Sequence, residues 1–309
     1  MTSPLTSAVE QILGTRVLGA TRLPHGLVNE VYRVETTDGV VVVKVFRHRT
    51  WPEADKPPWV ERQLRAHGVP HAPLLYYSRA DTYFPHGLSI SEHVAGTNAL
   101  DLLRAGQLSP VEFATKTGRL LRRLHGITVA RYGYLNGGAG MYESLVEFKL
   151  THEVGERLAT LPAGALPADV QGRVATLVAR NLAPLEPRLR PVLVHDDPKP
   201  DNVIWTAAGE PVLVDWDEAV GSAWLSDYAR LTYWLEGHGA AVVPAGERAA
   251  FRAAFFAAYG PVDLSADEIV RAEHALHVVH AADLTAFYDR RQDETACARI
   301  RARLLRLLG

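Results

Sequence analysis

The sequence predicts an α+β protein with two lobes, a small antiparallel β-rich lobe at residues 1–95 and a larger, mainly helical lobe at residues 96–309. Three observations support this. Short runs of β-branched residues, separated by turn residues, occupy the first lobe. Helical periodicity of apolar residues dominates the second lobe. A cluster of Asp, Asn and Pro residues near position 200 leads into a short hairpin.

Composition limits the possible functions. The chain has 309 residues and a formal net charge of −2, which gives no electrostatic footprint for a nucleic acid polymer or an anionic membrane. No apolar run reaches transmembrane length, and no basic segment followed by an apolar stretch opens the chain. The single cysteine, Cys297, excludes an internal disulfide framework and fits a reducing compartment. We therefore expect a cytoplasmic protein with no obligate protein partner.

The first lobe is predicted to begin with a helix at residues 5–13 and to continue with strands at residues 17–23, 31–35 and 40–46. The loop at residues 24–29, between the first two strands, contains one glycine, Gly26. Lys44 lies inside the third run, where a cation is unfavourable unless it has a partner. The alternative is an edge strand, where a lysine blocks aggregation.

Further elements are predicted from capping residues and periodicity. Ser109, followed by Pro110 and Glu112, is a capping-box pattern that begins a helix reaching about residue 125. Other expected elements are a helix at residues 59–66, a strand running into a linker over 88–96, a helix at 224–235 with Asp227 in a structural role, and a helix from the Ser265 cap to about 290. This last helix carries His274, His277 and His280, which we interpret as partly buried or surface histidines because no carboxylate lies at zinc-ligand spacing.

The most informative stretch is His-Asp-Asp-Pro-Lys-Pro-Asp-Asn at residues 195–202, followed later by Asp215. A kinase fold holds a hydroxyl and two magnesium ions with three residues at a set spacing. These are an Asp, an Asn five residues later, and a second Asp that follows an apolar strand. This spacing predicts Asp197 as the base that takes the hydroxyl proton. It also predicts Asn202 and Asp215 as Mg²⁺ ligands, because Mg²⁺ prefers hard oxygen donors. Lys199 would place a cation near the transferred phosphoryl group.

The two predicted magnesium ligands should meet across a hairpin. Residues 203–205 and 211–214 are short β-rich runs joined by a turn. Asn202 enters the first run and Asp215 leaves the second, so neighbouring strands roughly 4.8 Å apart would bring both side chains to one site. The alternative is a turn rich in Asp, Asn and Pro beside an ordinary hairpin.

These residues resemble the aminoglycoside phosphotransferase and choline kinase family, small-molecule kinases related to protein kinases. That family typically has His-Gly-Asp, four residues, Asn, and later Asp-x-Asp/Glu; this chain has His195-Asp196-Asp197, then Asn202, then Asp215-Trp216-Asp217. One departure is Asp196 in place of Gly, a carboxylate that either raises the pKa of the base or points to solvent. Another is the run from Lys199 to Asn202, which is more similar to protein kinases. The resemblance covers nearly the whole chain and implies a bilobal, protein-kinase-like fold.

The resemblance also implies roles in the first lobe. Lys44 would contact the α- and β-phosphates and pair with a helix glutamate, Glu61, with Glu53 as a rival partner. The loop containing Gly26 would lie over the phosphates, unless it is a plain hairpin. Glu92 would present its carbonyl, and Val94 its N–H, to the adenine edge. The alternative for these two residues is an exposed strand end.

The implied reaction is Mg²⁺-dependent transfer of the γ-phosphoryl group of ATP, or GTP, to a hydroxyl of a small molecule. An aminoglycoside or other antibiotic, an amino sugar, choline and homoserine all remain open as acceptors. Asp283, Tyr288 and Asp289 are candidates for the acceptor pocket, or part of a solvated charged face. The short interval from Asp215 to Asp227 argues against a protein substrate. A nucleotide-binding regulatory protein and a Mg²⁺-dependent hydrolase are the rival classes.

Overall fold

The structure is a computed structural model that describes residues 3–23, 28–49, 51–52, 55–135 and 137–309, except the side chain at position 238. The chain divides into two compact units. Unit 1 comprises the residues up to Leu102 together with Pro200–Asp217, and unit 2 comprises Leu103–Lys199 and Glu218–Gly309. This division differs from the expected boundary at residue 95, chiefly because the segment Pro200–Asp217 packs with the first unit.

The helices and strands are as follows. The α-helices of the described residues are α1 (Pro4–Leu13), α2 (Lys56–Ala66), α3 (Ala99–Arg104), α4 (Pro110–Leu124), α5 (Leu145–Phe148), α6 (Val170–Leu182), α7 (Leu225–Glu236), α8 (Arg248–Tyr259), α9 (Ala266–Arg290) and α10 (Glu294–Leu308). The strands are β1 (Val17–Arg22), β2 (Glu30–Thr36), β3 (Gly39–Val45), β4 (Leu74–Ser78), β5 (Leu88–Glu92), β6 (Gly96–Asn98), β7 (Gly133–Tyr134), β8 (Val192–Val194), β9 (Val203–Thr206), β10 (Pro211–Leu213) and β11 (Val220–Ser222). Lys149–Glu156 forms a π-helix. Within these described ranges, no helix combines the length and apolar character needed to cross a membrane.

A five-stranded antiparallel sheet forms the body of unit 1, with strand order β1-β2-β3-β5-β4. Alternate residues of β3 point to one face, where Val41, Val43 and Val45 join a buried core that includes Leu5 of α1. Lys44 therefore lies on the opposite face of the sheet. Because β3 is paired on both sides, the edge-strand alternative for Lys44 is wrong.

A second sheet of unit 1 explains why the hairpin belongs there. The predicted hairpin forms as β9 and β10, and β6 pairs with the other side of β9. Gly96 faces Thr206, and a Cβ atom on Gly96 would lie only 2.4 Å from the carbonyl oxygen of Trp205, so this close approach needs glycine. Asn98 also donates a side-chain hydrogen bond to the carbonyl oxygen of Asp201 at 2.7 Å.

Unit 2 is mainly helical, with a small sheet of strand order β7-β11-β8. In the register of this sheet, Val220 of β11 pairs with Tyr134 of β7 on one side and with Val194, the last residue of β8, on the other. Both predicted serine caps are present. Ser109 accepts a hydrogen bond from the Glu112 N–H at the start of α4, and Ser265 forms a reciprocal capping box at the start of α9.

Candidate active site

The hairpin of unit 1 holds the two predicted magnesium ligands at the ends of adjacent strands. Asn202 directly precedes β9, and the N–H of Val214 donates to the Asn202 carbonyl oxygen at 3.0 Å. Asp215 follows with φ = 65°, a left-handed conformation that is uncommon for a residue with a Cβ atom. Such backbone outliers cluster at functional sites, where the surrounding structure enforces them. The side chain of Asp215 is 53% exposed.

Lys44 bonds to both acidic residues that follow β10. Its Nζ atom lies 2.7 Å from Oδ1 of Asp215 and 3.0 Å from Oδ2 of Asp217. Burial opposes the charge of Lys44, but the two carboxylates outweigh it and raise the pKa of the ammonium above its ordinary value. The structure therefore places a permanent cation beside a predicted magnesium ligand.

Asp217 joins this candidate site through Lys44 and was not among the predicted site residues, although the Asp-x-Asp/Glu pattern contained it. Its Oδ2 atom accepts a hydrogen bond from Asn29 Nδ2 at 3.0 Å, and Asn29 Oδ1 accepts from the Arg47 N–H at 3.2 Å. Lys56, which is completely buried, donates to the Asp217 carbonyl oxygen at 2.5 Å. Burial raises the pKa of the Asp217 carboxyl, while Lys44 acts in the opposite direction. Asp217 is thus fixed through its side chain and its backbone.

The predicted ion pair between Lys44 and Glu61, both described residues, is wrong for this structure. Glu61 instead contacts Arg65 at 2.7 Å and His71 Nε2 at 3.0 Å, and accepts a hydrogen bond from the Leu74 N–H at 3.1 Å. Burial opposes ionisation of Glu61, but the hydrogen bonds from Arg65 and Leu74 lower its pKa overall. Its carboxylate therefore docks α2 against β4.

The other predicted nucleotide contacts lie partly outside the described residues, which include neither Glu53 nor Gly26. Glu92 is the last residue of β5, and its N–H donates to the Pro73 carbonyl oxygen at 2.9 Å. Val94 is half-buried in the three-residue connection between β5 and β6. The predicted strand that runs into a linker over residues 88–96 corresponds to β5 followed by the connection at residues 93–95.

Unit 2 holds the predicted base on residues 195–199, which we call the base loop and which directly follows β8. Asp197 Oδ2 lies 2.7 Å from Lys199 Nζ. The Asp197 N–H donates to Nδ1 of His195, which is completely buried, at 3.3 Å. The side chain of Asp197 is 30% exposed, so its carboxylate is open to a substrate.

Asp227 holds the backbone of the base loop. Its Oδ2 atom accepts from the His195 N–H at 3.0 Å, and its Oδ1 atom accepts from the Asp196 N–H at 2.7 Å. His125 Nε2 lies 3.0 Å from Oδ2, and His125 Nδ1 lies 2.8 Å from the hydroxyl of Tyr259. Asp227 is completely buried, so these contacts are made in a dry environment where they are strong.

Asp196 follows neither of the two expectations for it. It is 4% exposed, and its Oδ2 atom accepts a hydrogen bond from Arg230 Nη2 at 2.8 Å. The Asp196 carboxylate is therefore not directed to solvent. It is paired with Arg230 and is not an unpaired charge beside the base. Its φ of 61° is left-handed, the conformation in which glycine has no steric penalty.

Comparison with known proteins identifies the family. Residues 19–276 match the phosphotransferase enzyme family, APH. The chain belongs to this family. No curated protein matches its sequence.

Solved structures of other phosphotransferases share the fold of this one over nearly its whole length. Choline kinase LicA from Streptococcus pneumoniae has 16% sequence identity and a TM-score of 0.70, with 98% of this chain and 97% of that chain covered. A thermostable mutant of the aminoglycoside phosphotransferase APH(4)-Ia, in ternary complex with AMP-PNP and hygromycin B, has 15% identity, a TM-score of 0.70, and 99% and 98% coverage. A choline/ethanolamine kinase family protein from Mesorhizobium loti has 20% identity, a TM-score of 0.64, and 94% and 88% coverage. The predicted α+β, kinase-like fold class is confirmed.

In this phosphotransferase, two of the residues predicted to form an acceptor pocket are paired with arginines. Asp283 lies 3.3 Å from Arg157 Nε, and Asp289 lies 2.7 Å from Arg301 Nη2. Tyr288 packs edge-on against the neighbouring Phe287 ring, with 5.2 Å between centroids. The acidic groups on this part of α9 therefore already have cationic partners.

A polar cluster surrounds Tyr134, and its contacts with residues 152–157 were not predicted from the sequence. The Tyr134 hydroxyl accepts from Arg157 Nη2 at 2.8 Å and bonds to His152 Nε2 at 2.7 Å. His152 Nδ1 lies 2.7 Å from Glu156 Oε2. Burial, the largest influence, raises the pKa of the Tyr134 hydroxyl, so it stays protonated. His152 and Glu156 belong to the π-helix, a conformation frequent at functional sites.

Proposed function

We propose that this phosphotransferase moves the γ-phosphoryl group of ATP to a hydroxyl of a small molecule in a Mg²⁺-dependent reaction. The observation that carries the proposal is the contact of Lys44 with Asp215 and Asp217 in unit 1. A half-buried lysine on a central strand, joined to two carboxylates after a hairpin, would supply a phosphate-binding cation and a metal ligand in one place. An ordinary hairpin rich in turn residues gives no reason for this pair.

The donor set fits magnesium. Asn202 and Asp215 provide an amide oxygen and a carboxylate at the ends of paired strands, and such hard oxygen atoms are the ligands that Mg²⁺ prefers. Asn202 and Asp215 would hold the ion, which would supply positive charge beside the nucleotide phosphates. Asp217, half-buried and bound by Asn29, would keep Lys44 in place when phosphates replace Asp215 as a partner of the ammonium.

Asp197 has the chemistry of the base. Its partly exposed carboxylate would accept the proton of the attacking hydroxyl, and Lys199 at 2.7 Å would supply positive charge near the transferred group. Asp227 fixes the backbone just before Asp197, so the carboxylate is oriented before the acceptor binds. Phosphoryl transfer depends largely on such positioning and electrostatic stabilisation.

Two acceptor classes are favoured by different observations. Similarity to APH(4)-Ia, which is solved with hygromycin B, supports an aminoglycoside or another antibiotic. The pairing of Asp283 and Asp289 with arginines instead supports an acceptor with less positive charge, such as a sugar, choline or homoserine type of metabolite, because fewer free carboxylates face a polycation. We place the antibiotic class first and the metabolite class second.

A coupled assay of ADP release tests the proposal. The purified protein is incubated with Mg²⁺ and ATP, or GTP, alone and with a panel of aminoglycosides, other antibiotics, sugars and amino alcohols. Asp197→Asn serves as the matched control because it keeps the side-chain size. Release that requires one acceptor, with a phosphorylated product seen by mass spectrometry, is the expected result. Equal release without an acceptor would indicate a hydrolase, and nucleotide binding without release would indicate a regulatory protein.

A further inference from the structure

We propose that Arg230 is a positioning residue for the base loop and acts through the carboxylate of Asp196. The inference rests on the proposed function, because the base loop carries Asp197. It concerns a position at which this chain departs from the glycine usual in its family. A carboxylate in that position has to be accommodated, and the structure shows how.

The backbone of Asp196 is the first step of the argument. Its φ of 61° lies in the left-handed region, which is unfavourable for a residue with a Cβ atom and is better tolerated by Asp and Asn than by most others. The side chain is also nearly completely buried. A carboxylate in these two circumstances persists only where other contacts compensate for its burial.

The compensating contact is the ion pair with Arg230. The Oδ2 and Nη2 atoms are 2.8 Å apart, and the side chains are 5% and 13% exposed. Asp196 and Arg230 line a small cavity of about 10 Å³ together with a second cation, Lys149. Lys149 is paired with Glu153 at 2.6 Å. Removing one member of a buried pair leaves the other as an uncompensated charge, so Asp196 depends on Arg230.

Arg230 also has the right place in the fold. It lies on α7 three residues after Asp227, so one helix face attaches to the base loop twice. Asp227 binds the backbone N–H groups of the loop, whereas Arg230 binds the Asp196 side chain. From α9, His280 Nε2 lies 3.2 Å and Asp283 Oδ2 lies 4.0 Å from Arg230 Nη1, which fixes the guanidinium from a second helix.

The consequence falls on the next residue, Asp197. The direction of the Asp197 carboxylate depends on the orientation of the peptide group that joins Asp197 to Asp196. The attachments of Asp227 and Arg230 to the base loop set this orientation. A misplacement of about 1 Å at a reacting group can lower the rate on the order of 100-fold. Nucleotide affinity should change little, because Lys44 and the predicted metal ligands belong to unit 1.

The kinetic test uses a double-mutant cycle. We expect Arg230→Met to lower kcat by roughly 10–100-fold with the KM for ATP nearly unchanged. Asp196→Gly suits the left-handed backbone and removes the buried carboxylate, so Arg230→Met should cause little further loss in that background. Asp196→Asn, which removes only the charge, should resemble Arg230→Met. Equal losses of kcat from Arg230→Met in both backgrounds would overturn the proposal.

A second measurement does not require activity. Hydrogen exchange of the peptide spanning residues 193–199 should become faster in Arg230→Met and remain unchanged in Arg301→Met. Arg301 is the control because it forms an ion pair of similar length, though more exposed, with Asp289 and not with the base loop. Unchanged exchange in Arg230→Met would also refute the role of Arg230. If Arg230→Met does not fold, Arg230→Lys should retain part of kcat, whereas Arg230→Gln should not.

These two measurements separate the inference from the proposed function. If the wild-type protein transfers phosphate to none of the acceptors, the proposed function fails, while the exchange experiment still tests the link between Arg230 and the base loop. If transfer is found and neither kcat nor exchange responds to Arg230→Met, only the inference fails.

Discussion

The Nζ atom of Lys44 lies 2.7 Å from Oδ1 of Asp215, although the two residues are 171 positions apart in the chain. The contact joins the middle of one sheet of unit 1 to the end of its hairpin. Each residue neutralises the other, and under the proposed function nucleotide phosphates and Mg²⁺ would take the place of this pairing. The proposal thus predicts that both side chains contribute to nucleotide binding.

Asp215→Asn should weaken binding of Mg²⁺-ATP and nearly abolish transfer, because the variant loses the charged ligand of a hard cation. The thermal stability of the nucleotide-free protein should change little, since Asp217 remains as a partner of Lys44. Isothermal calorimetry with and without Mg²⁺ measures the effect. Glu210→Gln, an exposed change in the same hairpin, is the control. Normal Mg²⁺-ATP binding by Asp215→Asn would remove Asp215 from the metal site.

Lys44→Met should abolish activity while the protein stays folded, because the unbranched stem can pack in the same strand. Glu61→Gln should leave kcat nearly unchanged, since Glu61 contacts Arg65, His71 and Leu74 and not Lys44. Its expected effect is a loss of about 1 kcal/mol in the free energy of unfolding, from weaker docking of α2. Steady-state kinetics of both variants measures kcat, and urea unfolding of both variants measures the free energy of unfolding. A large loss of kcat in folded Glu61→Gln would show that Glu61 acts on the nucleotide after all.

Asp197→Ala should lower turnover by roughly 10²–10⁴-fold, the usual contribution of a positioned base, and should keep nucleotide affinity. Turnover should fall because the variant loses the partly exposed carboxylate that contacts Lys199. Nucleotide affinity should stay because the predicted metal ligands are unaltered. Single-turnover kinetics with the acceptor identified in the screen measures the chemical step directly. Turnover close to wild type would mean that another group accepts the proton.

Asp227→Asn should destabilise the protein by about 1–3 kcal/mol, because an amide cannot accept hydrogen bonds at both atoms from the His195 and Asp196 N–H groups. kcat should fall as well, since the base loop loses its backbone attachment. Urea unfolding measures the first effect. Asp267→Asn, an exposed change at the equivalent end of α9, is the matched control. Equal stability of the two variants would contradict the anchoring role.

His277 should make stability depend on pH in the mildly acidic range. Burial is the main cause that lowers its pKa from 6.5 to about 3, and Arg303 and Arg252 add to it. Glu236 and Glu273 lie 3.6 and 3.7 Å from the ring, but both carboxylates are already bound by Arg252, so they do not reverse the effect. The unfolded chain therefore takes up the proton first as the pH falls.

The contribution of His277 should accordingly be complete above pH 6.5 and be lost between about pH 6.5 and 3. It should fall by at most roughly 1.4 kcal/mol for each pH unit. Urea unfolding at several pH values between neutral and mildly acidic measures the slope. His277→Gln should flatten it, whereas His274→Gln, one turn earlier on α9, should not. An unchanged slope in His277→Gln would show that the ring is accessible to protons in the folded state.

The parts of the site that the sequence predicted are those set by local pattern. The hairpin of β9 and β10 follows from two short β-rich runs around a turn, and its register brings Asn202 and Asp215 to paired strand ends without any other information. Lys44 was predicted as a functional residue because a cation inside a run of β-branched residues needs a partner. The Ser109 and Ser265 caps are likewise local, and both form.

The parts that were missed depend on contacts between distant residues. Nothing in the sequence near Lys44 distinguishes Asp217 from Glu61 as its partner, because the choice depends on how α2 faces β4. The ion pair of Asp196 with Arg230 likewise depends on the packing of α7. Such pairings are decided by three-dimensional placement, which spacing along a chain does not contain.

The membership of the hairpin in unit 1 has a consequence for synthesis on the ribosome. Strand β6 is made early, but its partner β9 emerges only about 100 residues later, a delay of about 5–20 s at common elongation rates. Throughout this interval the nascent chain carries Lys44 without Asp215 or Asp217, and one edge of β6 has no strand to pair with. Unit 1 is therefore begun first yet completed only after the whole first segment of unit 2, Leu103–Lys199, has been translated.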